Sequence, residues 1–67
     1  MVNFDKLNEV IERSNKSNEY IADALGLTLQ GWMNKRKGKN DFTVSNAQNF
    51  CKALKLTNKE KIEIFLS

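Results

Sequence analysis

Apolar residues recur at helical spacing along almost the whole chain, and no proline interrupts them. In the first segment, one helical face carries four apolar residues, Phe4, Leu7, Val10 and Ile11. A half-buried strand would instead need alternation with period two, and no segment alternates long enough for a convincing strand. With 67 residues, the chain has the length of one small domain, residues 1–67. The spacing therefore predicts a single all-α domain.

Small polar residues mark where the helices of this pattern would begin. Their expected first turns lie near Asn3, Ser17, Thr28, Thr43 or Ser45, and Thr57. The last of these opens a capping box of the form S/T-x-x-E. Gly26 and Gly38 follow the second and third segments, where a left-handed residue commonly ends a helix. The sequence therefore predicts five short helices, the first over about residues 3–14.

Apolar residues of the later segments are the expected remainder of the core. The second helix holds Tyr20, Ile21, Ala22 and Leu25. The stripe of the fourth helix is Val44, Ala47, Cys51 and Leu54, and the apolar residues of the last helix are Ile62, Phe65 and Leu66. The last helix has more apolar residues than one buried stripe needs, so Ile64 is a candidate contact between two copies of the chain.

The residue types that most catalytic and metal sites need are missing. The chain has no histidine, and Cys51 is its one cysteine. This composition excludes a disulfide, a His/Cys metal cluster and the Cys–His and Ser–His–Asp nucleophile systems. Glu9, Glu12 and Glu19 are too far apart for acid–base chemistry, and Cys51 is expected to be a small buried hydrophobe. We expect a binding module rather than an enzyme, with no metal and no cofactor.

The expected compartment is the cytoplasm. No apolar run approaches the roughly 18 residues that cross a bilayer. Asp5, Glu9 and Glu12 do not fit a signal peptide at the N-terminus. The sequence therefore gives no reason to expect a membrane partner.

Positive charge is concentrated just after the middle of the chain. The formal net charge is +3, and residues 35–41 alone hold Lys35, Arg36, Lys37 and Lys39 against Asp41. A local basic cluster beside a balanced surface suits contact with a polyanion, and it equally suits a solvated turn.

Residues 17–38 carry a spacing that two helices joined by a tight turn require. Ala22 is a small residue for a close crossing, Gly26 follows four residues later at the turn, and Trp32 stands six residues after that as the large apolar residue of the second helix. Here the sequence resembles the lambda-repressor-like helix-turn-helix family, and most of all its short, stand-alone phage Cro-type regulators. The resemblance covers almost the whole chain and implies the five-helix fold of that family.

Two positions depart from the family pattern. The family usually has Val, Ile or Leu where this chain has Trp32, and a further apolar residue where it has Lys35. Either Trp32 fills the space of both side chains, or the third helix is rotated slightly.

The third helix, at about residues 29–37, is the one that the resemblance places in the DNA major groove. On a helical wheel Gln30, Asn34 and Lys37 share one face, away from Trp32. The implied base contacts are Leu29, Gln30, Met33 and Asn34. The implied contacts with the DNA backbone are Asn18, Thr28, Lys35, Lys37, Lys39 and Asn40.

The function implied by the resemblance is sequence-specific binding of double-stranded operator DNA. Such a protein would be a transcriptional regulator, most similar to a Cro-like phage or prophage repressor acting in a bacterial or phage-infected host cell. A homodimer on a palindromic operator would supply the specificity that one module lacks. A second hypothesis stays open, namely a protein-binding modulator or anti-repressor of the same fold that sequesters a partner repressor protein.

Overall fold

The computed structural model describes residues 2–66, and within that range it contains five α-helices and no strand. The helices are α1 (Phe4–Ser14), α2 (Asn18–Ala24), α3 (Leu29–Arg36), α4 (Val44–Leu54) and α5 (Asn58–Phe65). The predicted all-α class with five short helices is confirmed.

Each helix begins at a side chain that satisfies a free backbone N–H of its first turn. These N-cap acceptors are Asn3, Ser17, Thr28, Thr43 and Thr57. The fourth helix thus begins after Thr43 and not after Ser45. The predicted capping box of Thr57 and Glu60 is present, and Thr43 forms a second, unpredicted one with Asn46.

Both glycines predicted to end a helix adopt the left-handed conformation. Gly26 has φ +70° and Gly38 has φ +84°. At Gly38 an added Cβ would lie 3.2 Å from Cζ of Phe4, so this glycine also allows the Phe4 ring to approach the backbone closely.

The core contains residues from all five helices. Its fully buried side chains are Leu7, Val10, Ile21, Trp32, Phe50 and Ile64. The ring of Trp32 stacks on Phe50 at a centroid distance of 5.7 Å and meets Phe42 edge-on at 6.0 Å. Such aromatic pairs contribute about 0.5–1.5 kcal/mol each beyond their buried area. The core positions predicted for Trp32 and Cys51 are confirmed.

Several predictions about the apolar faces are wrong. Ile64 is fully buried and is not available as a contact between two copies, whereas Ile62 and Leu66 are exposed. Val44 also lies outside the core, with 76% of its surface exposed. In α5 apolar residues occur on every side, so docking against α1 and α4 selects the buried face. The backbone N–H of Asn3, at the start of α1, donates to the carbonyl of Ile64 at 2.7 Å and holds α5 against α1.

Tyr20, expected among the apolar residues of α2, is about half exposed. The ammonium of Lys16 lies 4.8 Å from the centroid of its ring, so a charged side chain covers part of the aromatic face.

The five helices pack on one another to different extents. The most extensive packing is between α2 and α3, while α4 packs on α2 and α1, and α5 packs on α1 and α4. Of the helices described between residues 2 and 66, none is long and apolar enough to span a membrane.

Candidate functional site

The two central helices are joined by a short and well-bonded turn. After α2 ends at Ala24, residues 25–28 lead directly into α3. The backbone N–H of Leu27 donates to the carbonyl of Ala22 at 2.9 Å, which folds the turn back on α2. Ala22 itself is buried, as a close approach of the two helices requires.

A side-chain network fixes α3 from its inner side. The indole Nε1 of Trp32 donates to Oδ1 of Asn18 at 2.9 Å, and Nη1 of Arg36 donates to the same oxygen at 2.8 Å. Nε of Arg36 also donates to Oδ1 of Asn8, on α1, at 2.8 Å. Hydrogen bonds from a charged donor contribute about 1.5–3 kcal/mol each. The network therefore fixes α3 relative to both α1 and α2.

This network gives Asn18 a structural role that the sequence did not predict. Its side-chain oxygen is used inside the fold, and the amide nitrogen is the atom that remains for the predicted contact with a phosphate. Arg36 differs from its basic neighbours because its guanidinium is part-buried in the same network. Asn8 and Arg36 are 28 residues apart, and no local sequence signal connects them.

Trp32 is the one fully buried residue of α3 within the described chain, and Met33 beside it is partly buried against the core. The ammonium of Lys35 donates to the backbone carbonyl of Asp41 at 2.7 Å and ties the loop after α3 to the helix. One of its three N–H donors is thereby used.

The outer side of α3 presents the side chains predicted to contact bases. Nε2 of Gln30 donates to Oδ1 of Asn34 at 3.0 Å, so the two amides form one unit. Leu29 is 45% exposed, whereas Met33 is partly buried against the core. Of the four predicted base contacts, Leu29 and Gln30 are therefore exposed, while Met33 and Asn34 are half-buried.

The residues predicted to contact the DNA backbone flank this surface. The hydroxyl oxygen of Thr28 accepts from the backbone N–H of Gly31 at 3.0 Å, which leaves its own O–H free to donate. Lys37, Lys39 and Asn40 are exposed at the other end of α3. The two ion pairs found within residues 2–66, Lys6–Glu9 and Arg13–Glu60, lie on other helices. The charges of Lys37 and Lys39 are thus not neutralised by either pair.

The thiol of Cys51 is not activated. Burial raises the pKa of the Cys51 thiol, Lys61 lowers it by a smaller amount and Glu60 raises it further, and the net increase disfavours the reactive thiolate. Across the part of the chain that the structure describes, no group of three or more His, Cys, Asp or Glu side chains could hold a metal ion.

Comparisons with protein-family models, with curated proteins and with solved structures found no match to this chain.

Proposed function

We propose that this protein is a sequence-specific, double-stranded DNA-binding regulator in which α2 and α3 form a helix-turn-helix unit and α3 enters the major groove. One observation carries the proposal: the hydrogen-bonded amide pair of Gln30 and Asn34 lies on the outer side of a helix whose inner side is fixed by Trp32 and Arg36. An immobilised helix with paired amides facing outward suits the reading of base edges.

The chemistry of the amide pair favours adenine. Because Gln30 donates to Asn34, the Gln30 carbonyl oxygen remains as an acceptor and the Asn34 amide nitrogen remains as a donor. In the major groove, adenine offers the complementary N6 donor and N7 acceptor. Gln30 would accept from N6 while Asn34 donates to N7, and exposed Leu29 would contact a neighbouring thymine methyl.

Flanking groups suit the phosphates on either side. Thr28 offers a hydroxyl at the start of α3, and Lys37, Lys39 and Asn40 offer exposed donors at its end. Contacts at both ends of a helix would set its depth and register in the groove. Lys35 is hydrogen-bonded to the Asp41 carbonyl. It would contact a phosphate through the remaining N–H donors of its ammonium, or contribute indirectly by positioning the loop after α3.

A single module of this kind covers roughly 600–1,000 Å² of interface, which rarely gives strong preference for one operator. We therefore propose that two copies act on a palindrome, where the two half-sites supply the remaining specificity. With Ile64 buried, Ile62 and Leu66 are the exposed apolar side chains near the end of α5 to test for this contact. Repression would follow from occupancy of the operator.

The alternative, a modulator that sequesters a partner repressor protein, has one observation in its favour. An open, largely apolar groove of about 510 Å³ lies between the starts of α1 and α4 and the end of α5. Exposed Val44 and Leu66 line it together with Phe42 and Phe65. Exposed apolar surface of this kind is typical of protein contacts.

Selection of preferred sites from random duplex DNA, with the purified full chain and no partner, tests the proposal. We expect a discrete motif to be enriched, with conserved A·T pairs where the amide pair reads the groove. Affinity for that motif should fall steeply as salt rises. Recovery of no motif, together with no salt-dependent binding to any duplex, would remove the DNA-binding proposal and favour the modulator.

A further inference from the structure

A second cavity, of about 410 Å³ and wide open to solvent, lies between the C-terminal half of α4 and the start of α5. Three lysines line it: Lys52 from α4, Lys55 from the connection and Lys61 from α5. The side chains of Gln48 and Asn58 add amide groups to its wall. The cavity thus combines positively charged residues with neutral hydrogen-bonding ones, and Cys51 and Leu56 complete its lining.

The positive charge of this cavity is not balanced by ion pairs. Neither of the two ion pairs formed within residues 2–66 involves Lys52, Lys55 or Lys61. Glu60 is the acidic residue nearest in sequence to Lys61, and its carboxylate is bound to Thr57 and to Arg13 of α1. Three lysines that line one surface give it a positive potential, which attracts anions.

Lys55 adds an independent observation. It ends α4 in the left-handed conformation, with φ +55°, and its N–H and that of Leu56 donate back to the last turn of the helix. Glycine is the preferred residue at such a position, because a Cβ is strained there. Asparagine, the usual substitute, is found at the matching end of α1, as Asn15. A lysine in this conformation is a strained residue at the mouth of a cavity, and such residues concentrate at functional sites.

We propose that the α4–α5 cavity binds a compact phosphate-bearing ligand with two to three negative charges, of the class of diphosphates or phosphate monoesters. The three lysines supply the charge, and the amides of Gln48 and Asn58 donate to phosphate oxygens. A volume of this size accommodates a small molecule. Because α5 packs on α1 and α4, the site is separate from α3 and does not depend on the proposed DNA binding.

Titration of the full chain with inorganic pyrophosphate at constant ionic strength tests the proposal. Calorimetry and amide NMR shifts measure the binding. We expect saturable binding of one ligand, with the largest shifts at Lys52, Lys55 and Leu56. Lys52→Gln combined with Lys61→Gln should weaken binding about tenfold or more, since each change removes a charged hydrogen-bond donor. Lys59→Gln is the matched control, because Lys59 is exposed on α5, the helix of Lys61, but is not among the residues that line the cavity.

Lys55→Gly separates loss of the site from loss of the fold. Glycine relieves the backbone strain, so this variant should melt at or above the wild-type temperature while its affinity for pyrophosphate falls about fivefold. Non-saturating binding, or an equal loss for Lys59→Gln, would overturn the proposal in favour of general surface charge. Displacement of pyrophosphate by random duplex DNA, with shifts at the same amides, would overturn it in favour of a polyanion surface.

Discussion

Trp32 and Asn18 are joined by a hydrogen bond of 2.9 Å from the indole Nε1 of α3 to the side-chain oxygen of α2. Trp32 is fully buried, so this oxygen takes the place of the water that an exposed indole would bind. The same oxygen accepts from Arg36, so one asparagine serves two donors that hold α3. The orientation of α3 therefore depends on a residue outside α3.

Replacement of Asn18 tests this dependence. Asn18→Ala removes the acceptor of a buried indole N–H and one of the two acceptors of Arg36, so it should lower the free energy of unfolding by about 1–3 kcal/mol. Urea denaturation followed by the fluorescence of Trp32 measures the change at the affected ring.

Asn58→Ala is the matched control, because Asn58 is likewise the first residue of a helix and is exposed. Asn18→Asp keeps an oxygen for both donors and should recover most of the stability. Equal stability of Asn18→Ala and wild type would mean that the hydrogen bond does not hold α3.

The contact between α2 and α3 gives a second prediction. Ala22 is 3% exposed, so Ala22→Leu forces three extra carbons into a filled space and should cost about 1–3 kcal/mol of stability. Ala24, at the exposed end of the same helix, provides the control Ala24→Leu, which should be close to neutral. Thermal unfolding of both variants makes the comparison, and an unchanged melting temperature for Ala22→Leu would contradict the close packing.

The helices could be predicted from the sequence because their boundaries depend on local chemistry. An N-cap side chain and the N–H that it accepts lie three residues apart, so Ser17, Thr28 and Thr57 identify helix starts without knowledge of the fold. The left-handed glycines, Gly26 and Gly38, are equally local. The charge and polarity of the outer side of α3 also follow from spacing alone.

The wrong and missing predictions concern tertiary contacts. Ile64 is buried because α5 docks on α1, and the short pattern of α5 fits more than one docking face. The network of Asn8, Asn18 and Arg36 joins three helices across long sequence separations. Helical spacing places Arg36 on the same side of α3 as Trp32 and away from Lys37. It does not identify Asn8 and Asn18 as the partners of Arg36, because they lie on other helices.

Acid sensitivity provides a third prediction, at the contact between α5 and α1. The backbone N–H of Thr57, and next Arg13, lower the pKa of Glu60. A carboxyl with a lowered native pKa stabilises the fold above its unfolded-state pKa, and this contribution is lost as pH falls through the native pKa. Glu60→Gln should therefore melt below wild type at neutral pH, and the difference should begin to shrink below about pH 4.3 and close once the pH is below the native pKa of Glu60.

Glu12→Gln, a change at an exposed carboxylate of α1, is the control for the general effect of removing one negative charge. Melting curves of the three proteins from neutral to acid pH make the test. A gap for Glu60→Gln that persists unchanged at acid pH would show that its effect is not due to the carboxylate charge.

Base reading by α3 gives a fourth prediction, on the site recovered by selection. Gln30→Ala or Asn34→Ala should cost about 1–3 kcal/mol there and relax the choice of base, while binding to random DNA stays nearly intact. Because the two amides are bonded to each other, the double variant should lose less than the sum of the single losses. Gln48→Ala, an exposed amide on α4, is the control. Equal losses on all duplexes would mean that these side chains contact only the backbone.

The basic residues after α3 give the last prediction, which concerns salt dependence. Lys37 and Lys39 are exposed, so replacing both by Ala should leave the fold intact. Each phosphate contact contributes about −0.9 to the slope of log K against log salt, so the double variant should have a slope shallower by about one to two units. The loss should be nearly uniform on specific and random DNA, because phosphates carry no base identity.

The control is Lys52→Ala combined with Lys59→Ala, which removes the same charge from α4 and α5. This variant should keep the wild-type slope, because salt at physiological concentration screens charges beyond a Debye length of about 8 Å. Fluorescence anisotropy with labelled duplexes over a salt series measures all three proteins. An equal change in slope for both double variants would mean that net charge, rather than position, governs binding. An unchanged slope for the Lys37 and Lys39 variant, with the fold intact, would place these lysines away from DNA and favour the protein-binding modulator.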